Sequence, residues 1–245
     1  MFPNTLHNGE ILRYNECGGI FRRSIFTRGI FMDNKTRMIN EMAYIADETL
    51  VAEMKQNKKL MHRFNTTQPW EFEKLDEIAH SIFGSLGKNA WINPPFYCDY
   101  GKHIFAGDGF NANYGCVILD VGRVDIGNHV FFAPNVSVYT AGHPVHPAAR
   151  GTMYEYGIPV KIGNDVWVGG NSVILPGVTI GDGTVIGAGS VVTKDIPSGV
   201  IAAGNPCRVI RKITDEDLQY YFKDRKFDDE AFETVKTAYD ERNKK

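Results

Sequence analysis

Aliphatic residues recur at every sixth position in the C-terminal half of the chain: Ile162, Val168, Ile174, Ile180, Ile186 and Val192. An amphipathic helix repeats its apolar face about every 3.6 residues and a half-buried strand about every two, so a period of six fits neither. It fits a chain that turns a corner after each short strand. Three such sides form one turn of a triangular coil. Turns stacked at roughly 4.8 Å bring their inward side chains into line, which predicts a parallel β-helix.

The same spacing extends upstream in two blocks, formed by Ile126, Phe132 and Val138 and by Ile92, Cys98, Ile104, Phe110 and Cys116. The wider gap between these blocks predicts one bulge of four residues at about 122–125. We expect the corners to need positive φ angles, and the residues expected to provide them are Gly169, Gly181, Gly187 and Gly189.

A longer interruption covers residues 141–159 and contains three prolines, three glycines and two of the seven histidines. A regular coil does not need such an insertion, and long loops on a rigid scaffold commonly carry function. We therefore expect the chemistry of the protein near residues 140–160.

Composition excludes several classes of function. The chain has 27 Lys and Arg against 29 Asp and Glu, a balance without the basic excess of a nucleic-acid-binding protein. Its four cysteines form no CxxC pair and follow no secretory signal, which predicts reduced thiols and a cytoplasmic location. Apolar segments fall short of the roughly 20 residues that span a membrane.

The repeats, at 89–212, are flanked by segments of different character. Residues 1–34 form a tail without periodicity, while 35–88 repeat apolar residues at helical spacing and predict a helical cap. Within the cap, Asp47 is expected to begin one helix, and another is expected to begin at Thr67 or Gln68 with Pro69 in its first position. Residues 213–245 predict a charged helical extension that packs on the coil or a neighbouring subunit. Thr214 is expected to cap it and Asp217 to occupy its third position.

Several segments resemble, in order and spacing, the maltose and galactoside O-acetyltransferases of the hexapeptide-repeat acyltransferases. They are NPPFYCDYG, NANYGC, TAGHPVHP, VKIGNDVWVGG, PGVTIGDGTVIGAGSVVTKDIP and AAGNPCRVIR, and the resemblance covers about residues 38–228. The segment YYFKDRKFD favours the galactoside branch. The resemblance implies a mainly β, left-handed parallel β-helix and a homotrimer with active sites between subunits. It also implies acetyl-CoA as donor and a sugar of the galactoside, maltose or glucose type as acceptor.

Transfer of an acetyl group to a hydroxyl group needs a base, and the ordinary pKa of histidine near 6.5 suits that task. His143 and His146 both lie in the long interruption. The resemblance matches His143 in AGHPV to the catalytic histidine of the family, and His146 is expected to orient or solvate the loop.

Three further residues match acceptor-site and oxyanion positions of the family. The backbone N–H of Gly170 would face the thioester carbonyl, Trp167 would pack on substrate, and Asn113 would bind the acceptor. Each also has a structural explanation: Gly170 as a coil corner, Trp167 as interface packing, and Asn113 as a turn residue.

Asp99 and Asp120 are candidates to accept hydrogen bonds from sugar hydroxyl groups. Two positions depart from the galactoside pattern. One is Val121, which stands where that branch has a second acidic residue. Met54 lies near the position of an arginine that binds the acceptor sugar in that branch. Asp47 is a further candidate carboxylate from the cap.

Coenzyme A presents a long pantetheine arm and an anionic 3′-phosphate. The residues expected to bind it are Gly170, Ala188, Thr193, Lys194, Arg208 and Arg211. We expect the last three to form a compact basic group facing phosphate, although a solvated basic edge would have the same composition.

Two other functions use similar repeats. A zinc hydratase of the γ-carbonic-anhydrase type needs three convergent histidines, and here only His143 and His146 are expected to lie close together. A trimeric scaffold without activity is the other alternative. The presence of histidine, tryptophan and basic residues at matching positions argues against it, and no metal is expected.

Residues 1–31 are expected to be dispensable because they lack the periodicity of a packed element. A protein that begins at Met32 should keep its melting temperature and its activity. A fall of more than about 5 °C in calorimetry, on the order of 1–2 kcal/mol for a chain of this size, would contradict this expectation.

Overall fold

The computed structural model describes residues 32–243, so the expectation that residues 1–31 are dispensable lies outside the described range. Three helices precede the repeats: α1 (Asn34–Ile39), α2 (Glu48–Thr66) and α3 (Phe72–Ile82). The start of α2 agrees with the sequence, because Asp47 Oδ1 accepts hydrogen bonds from the N–H groups of Thr49 and Leu50, each at 3.1 Å.

The predicted start of α3 is wrong by about three residues. The N–H of Glu71 donates to the carbonyl of Gln68 at 3.0 Å, so these residues form a separate turn before the helix. Glu71 has a ψ of 64°, which is not helical, and Phe72 is the first residue of α3. Proline in a tight turn and proline at the start of a helix look alike in sequence.

Short strands then follow one another around a triangular coil. The first three turns contain β1 (Ser85–Leu86), β2 (Trp91–Ile92), β3 (Tyr97–Cys98), β4 (Ile104–Ala106), β5 (Asn111–Ala112), β6 (Val117–Leu119), β7 (Val124–Ile126), β8 (Phe131–Phe132) and β9 (Ser137–Tyr139). An insertion forms β10 (Ala141–Gly142), α4 (Pro147–Arg150) and β11 (Tyr156–Gly157). The coil resumes with β12 (Val160–Ile162), β13 (Trp167–Val168), β14 (Val173–Ile174), β15 (Thr179–Ile180), β16 (Val185–Ile186), β17 (Val191–Val192) and β18 (Val200–Ala203).

The strands stack in parallel as three sheets, one for each side of the triangle. Sheet A contains β1, β4, β7, β12 and β15, and sheet C contains β3, β6, β9, β14 and β17. Sheet B contains β2, β5, β8, β13, β16 and β18, and an antiparallel strand β19 (Arg208–Lys212) completes it. The predicted parallel β-helix is confirmed, and its left-handed coil remains what the resemblance implies.

The predicted register is confirmed from residue 126 onward but is wrong by two positions between residues 104 and 116. The residues that stack on Ile126, Phe132 and Val138 in this turn are Ala106, Ala112 and Ile118. Two insertions of two residues, one before Ala106 and one before Ile126, therefore replace the single bulge of four.

The displaced set is nevertheless buried, because residues two apart on a strand face the same side. Ile104, Phe110 and Cys116 are fully buried and lie two positions before the stacking residues. Phe110 is large and Ala112 is small, so both buried side chains fit inside the coil. Hydrophobic spacing alone could not distinguish the two registers.

The predicted reason for the corner glycines is correct only for Gly189, which has a φ of +70°. At Gly169 a Cβ would lie 2.5 Å from the backbone nitrogen of Ala188, and at Gly181 it would meet the backbone of Ser198. Glycine is needed at these positions because the next turn passes too close for a side chain. Asparagine takes over several of the positive φ angles, as at Asn135 (61°) and Asn171 (57°).

A ladder of side chains ties the edge between sheets A and B. Asp108, Asn128, Asn164 and Asp182 each accept a hydrogen bond from a backbone N–H of the preceding turn, at 2.8, 2.8, 2.9 and 2.6 Å. The corners of one edge are thereby joined along the axis of the coil.

The C-terminal extension is helical only in part, which corrects the prediction for residues 213–245. After β19 come a 3₁₀ helix (Asp215–Gln219), a hairpin of β20 (Tyr220–Phe222) and β21 (Arg225–Lys226), and α5 (Asp229–Asn243). Thr214 and Asp217 do form the predicted capping box, although on the 3₁₀ helix.

Candidate active site

The candidate residues lie on two different edges of the coil. We call the edge between sheets B and C the Gly170 edge, and it carries Asn113, Gly170 and Ala188, which follow β5, β13 and β16. We call the edge between sheets C and A the His143 edge, which carries Asp99, Asp120, His143, Thr193 and Lys194. Sheet C separates the two edges.

Along the Gly170 edge, Asn113, Trp167 and Ala133 line an open hollow of about 360 Å³. Trp167 is paired in register with Phe131 in sheet B, and both side chains are about half exposed. Phe131 and Asn111, which also line the hollow, were not identified from the sequence. The sequence could have indicated both residues, because outward residues at equivalent strand positions in successive turns lie on the same face of the sheet.

Gly169 and Gly170 form the corner beside this hollow. A Cβ at Gly169 would lie 2.5 Å from the backbone nitrogen of Ala188, so no side chain fits there. A Cβ at Gly170 would have more space, at 3.1 Å from the carbonyl oxygen of Pro134. Within residues 32–243, no hydrogen bond engages the N–H of Gly170. A backbone N–H at a close-packed corner can donate to a developing oxyanion.

On the His143 edge, residues 141–159 form a loop with its own structure. Ala141 and Gly142 pair antiparallel with Gly157 and Tyr156, and the exposed His143 follows directly. His146 caps α4, because its Nδ1 accepts a hydrogen bond from the N–H of Ala148 at 3.2 Å. This hydrogen bond fixes the His146 ring at the start of α4.

Arg150 supports the backbone between the two histidines. Its guanidinium donates to the carbonyl oxygens of Pro144 and Val145 at 3.3 and 3.0 Å. His143 thus projects from a segment whose neighbouring backbone is held on both sides.

The two aspartates near this loop have different environments. Asp120 is fully buried, and its Oδ1 accepts hydrogen bonds from the N–H groups of Asp99 and Tyr100, each at 2.9 Å. Those bonds occupy the carboxylate inside the chain, which gives Asp120 a structural role and disfavours contact with a sugar.

Asp99 is partly exposed and keeps its side chain available. Burial, followed by repulsion from the Asp120 carboxylate, raises the pKa of Asp99 to about 6, while Lys58 opposes the shift. Of the two predicted carboxylates, Asp99 is the one that can face a ligand.

The two departures from the galactoside pattern lie in one small apolar cluster. Val121 is buried with Tyr44, Tyr100, Leu50 and Met38, and Met54 packs against them. This cluster joins the cap to the base of the loop, since Ala141 also packs on it. Asp47 uses its carboxylate to cap α2 and to accept from Asn34 Nδ2 at 3.1 Å, so it is not free to act as an acceptor-site carboxylate.

The predicted donor-binding residues are distributed over both edges of the coil and strand β19. Thr193 and Lys194 are exposed on the His143 edge, whereas Arg208 is paired in register with Ala203 in sheet B. Arg211 makes an ion pair of 2.6 Å with Asp217, which lowers the pKa of that carboxyl to about 2. The chain reverses direction after β18 to form β19, and Cys207, which precedes Arg208, donates its N–H to the carbonyl of Val191 at 2.8 Å.

The described residues contain no group of three or more His, Cys, Asp and Glu side chains arranged to hold a metal ion. Among the helices of the same part of the chain, none is long and apolar enough to cross a membrane.

Comparison with known proteins identifies two family models. Residues 37–87 match the maltose acetyltransferase hexapeptide capping motif, and residues 159–194 match the bacterial transferase hexapeptide (six repeats). The galactoside O-acetyltransferase of Escherichia coli K12 is 52% identical over 171 residues, which cover 70% of this chain and 84% of that protein.

Solved structures give the same relationship. A maltose O-acetyltransferase from Clostridium difficile 630 is 51% identical with a TM-score of 0.74, over 75% of this chain and 99% of that one. A galactoside acetyltransferase in complex with coenzyme A is 44% identical with a TM-score of 0.75, over 80% and 99% of the two chains.

Replacing Asp99 by asparagine is expected to stabilise the protein at neutral and alkaline pH. Folding raises the pKa of this carboxyl to about 6. The protonated carboxyl therefore favours the folded state at low pH, and this contribution to stability is lost as the pH rises through that value. Calorimetry at pH 8 should give Asp99→Asn a melting temperature about 2–5 °C above wild type, and the difference should vanish towards pH 4. Asp224→Asn, at an exposed hairpin position, is the control and should not differ; an Asp99→Asn protein less stable at pH 8 would contradict the expectation.

Proposed function

We propose that this chain, which belongs to the maltose and galactoside O-acetyltransferases of the hexapeptide-repeat family, transfers an acetyl group from acetyl-CoA to a hydroxyl group of a sugar. The galactoside, maltose and glucose types are the candidate acceptors. The observation that carries the proposal is His143, an exposed histidine that follows directly on the β10–β11 ladder of a loop inserted into a rigid coil.

His143 is the proposed general base. A neutral imidazole accepts the proton of the acceptor hydroxyl as its oxygen attacks the thioester carbonyl, and the proton then passes to the sulfur of the leaving CoA.

The Gly170 edge is proposed to stabilise the oxyanion and to hold the substrates. The N–H of Gly170, which has no acceptor within the described residues, suits the negative oxygen of the tetrahedral intermediate. Trp167 and Phe131 provide apolar surface for the pantetheine arm or the acceptor, and Asn113 lies in the same hollow.

A single chain does not bring the base to this corner. One side of the coil is about six residues, roughly 20 Å of extended chain, and all of sheet C lies between the two edges. We therefore propose that the His143 edge of one subunit meets the Gly170 edge of its neighbour in a homotrimer. The exposed aromatic side chains of sheet B, Trp91, Phe131 and Trp167, are suited to such an interface.

The shared site would also combine donor-binding residues from two subunits. Lys194 and Thr193 would approach the donor from one subunit, and Ala188 and Arg208 from the next. Arg211 can contribute only if its exposed ion pair with Asp217 opens, and exposed pairs of this kind are weak.

The base assignment is tested by His143→Ala. We expect kcat to fall roughly 10²–10⁴-fold, the usual range for a positioned acid–base group, with little change in the KM for acetyl-CoA. His146→Ala is the matched control and should lose much less, because its ring caps α4. Release of free thiol from acetyl-CoA in a screen of sugars gives both parameters.

Near wild-type transfer by a folded His143→Ala protein would contradict the assignment. A loss confined to the KM for acetyl-CoA would place His143 in donor binding. Stoichiometric zinc in the purified protein would favour a hydratase, and absence of coenzyme A binding would favour a scaffold.

The shared site is tested by mixing two variants that are each expected to lose most of their activity, His143→Ala, which lacks the proposed base, and Asn113→Ala, which lacks the proposed acceptor contact. If each site takes one edge from each of two subunits, random mixed trimers in equal proportion should recover about one quarter of wild-type activity. Light scattering should return the mass of three chains. Recovery no greater than the sum of the two variants, or the mass of one chain at micromolar concentration, would contradict the shared site.

A further inference from the structure

The helical cap and the His143 loop are joined by a contact between two residues that lie 111 positions apart in the sequence. Tyr44, between α1 and α2, forms an antiparallel bridge with Glu155 of the loop. The N–H of Tyr44 donates to the carbonyl of Glu155 at 3.0 Å, and the N–H of Glu155 donates back at 2.9 Å. The Tyr44 hydroxyl donates to Glu155 Oε2 at 3.0 Å. We call this set of three hydrogen bonds the Tyr44–Glu155 clip.

The tyrosine side of the clip is firmly held. Tyr44 is 1% exposed and packs with Leu50, Tyr100 and Val121. Burial, and then the nearby Glu155 carboxylate, raise the pKa of the phenol above its usual range, so the hydroxyl stays protonated and keeps donating. Glu155 is only half-buried, and hydrogen bonds to a charged acceptor are stronger than those to a neutral one.

Glu155 is connected to the proposed base, His143, through Tyr156 and Gly142. Tyr156, the next residue, pairs with Gly142 in the β10–β11 ladder, and His143 follows Gly142. The approach is close, since a Cβ on Gly142 would lie 2.4 Å from the Tyr156 hydroxyl oxygen. A shift of Glu155 is therefore transmitted to the backbone of His143.

We propose that the Tyr44–Glu155 clip positions His143, so that the cap acts on the reaction without contacting substrate. The proposal rests on the proposed function only for the identity of the base. Its physical basis is that a displacement of about 1 Å in a reacting group can cost up to about 10²-fold in rate.

The contacts distinguish this role from general stabilisation. The large buried cluster that fills the coil and packs it against α2 and α3 includes neither Tyr44 nor Glu155, since Tyr44 belongs to the separate small cluster with Leu50 and Val121. Loosening the clip should free the loop while the sheets remain intact. Two substitutions separate its components: Tyr44→Phe keeps the ring and removes the donor, and Glu155→Gln removes the charge and keeps an oxygen that accepts.

The experiment measures backbone hydrogen exchange of residues 141–157 by mass spectrometry beside the kinetics of acetyl transfer, on the full chain. Tyr44→Phe and Glu155→Ala should each speed exchange in that segment and lower kcat on the order of tenfold, with the KM for acetyl-CoA unchanged. Glu155→Gln should restore most of both. Tyr221→Phe removes an exposed hydroxyl in the C-terminal hairpin and should change neither.

Faster exchange with reduced kcat, restored in Glu155→Gln, supports the clip as a positioning device. Unchanged exchange, unchanged kcat, or a loss confined to the KM for acetyl-CoA overturns it. If the wild-type protein transfers acetyl to no sugar tested, the proposed function fails, whereas exchange in Tyr44→Phe still decides whether the clip holds the loop.

Discussion

Each turn of the coil is held by backbone hydrogen bonds to the turns above and below, and this stacking determines which side chains fit inside the coil and at its corners. The N–H of Gly169 donates to the carbonyl of Ile186 at 2.7 Å, and the N–H of Ala133 donates to that of Val168 at 2.9 Å. Inward residues must then lie directly above one another, so the core is a set of aliphatic columns. The close spacing also removes side chains from corners such as Gly169, where glycine is required by space and not by backbone angle.

The same rigidity allows one large departure from regularity. Residues 141–159 leave the coil between β9 and β12, yet Ile162 stacks on Ile126 as though nothing intervened. The insertion is closed at its base by the β10–β11 ladder and joined to the cap through Tyr44 and Glu155. A loop supported in this way can present His143 in a fixed direction while its exposed outer part remains free to meet another subunit.

The groups proposed to take part in the reaction are divided between two edges of the coil. One edge offers an N–H without an acceptor in the described residues and a hollow lined by Trp167 and Phe131; the other offers the histidine loop and Asp99. Sheet C keeps them apart within one chain, and its width follows from three sides of about six residues. The periodicity that builds the fold therefore also makes the proposed site depend on a second copy of the chain.

The sequence by itself determined the parallel coil, because a six-residue aliphatic period permits no other regular structure, and it located the loop that carries His143. It also determined the start of α2, since a side-chain cap at Asp47 is a local interaction. It did not determine the register over residues 104–116, because alternate residues on a strand share one side and both sets are apolar. The pairing of Tyr44 with Glu155 and the burial of Asp120 were decided only by the tertiary structure. Each depends on residues distant in the chain being brought together by the stacking of turns.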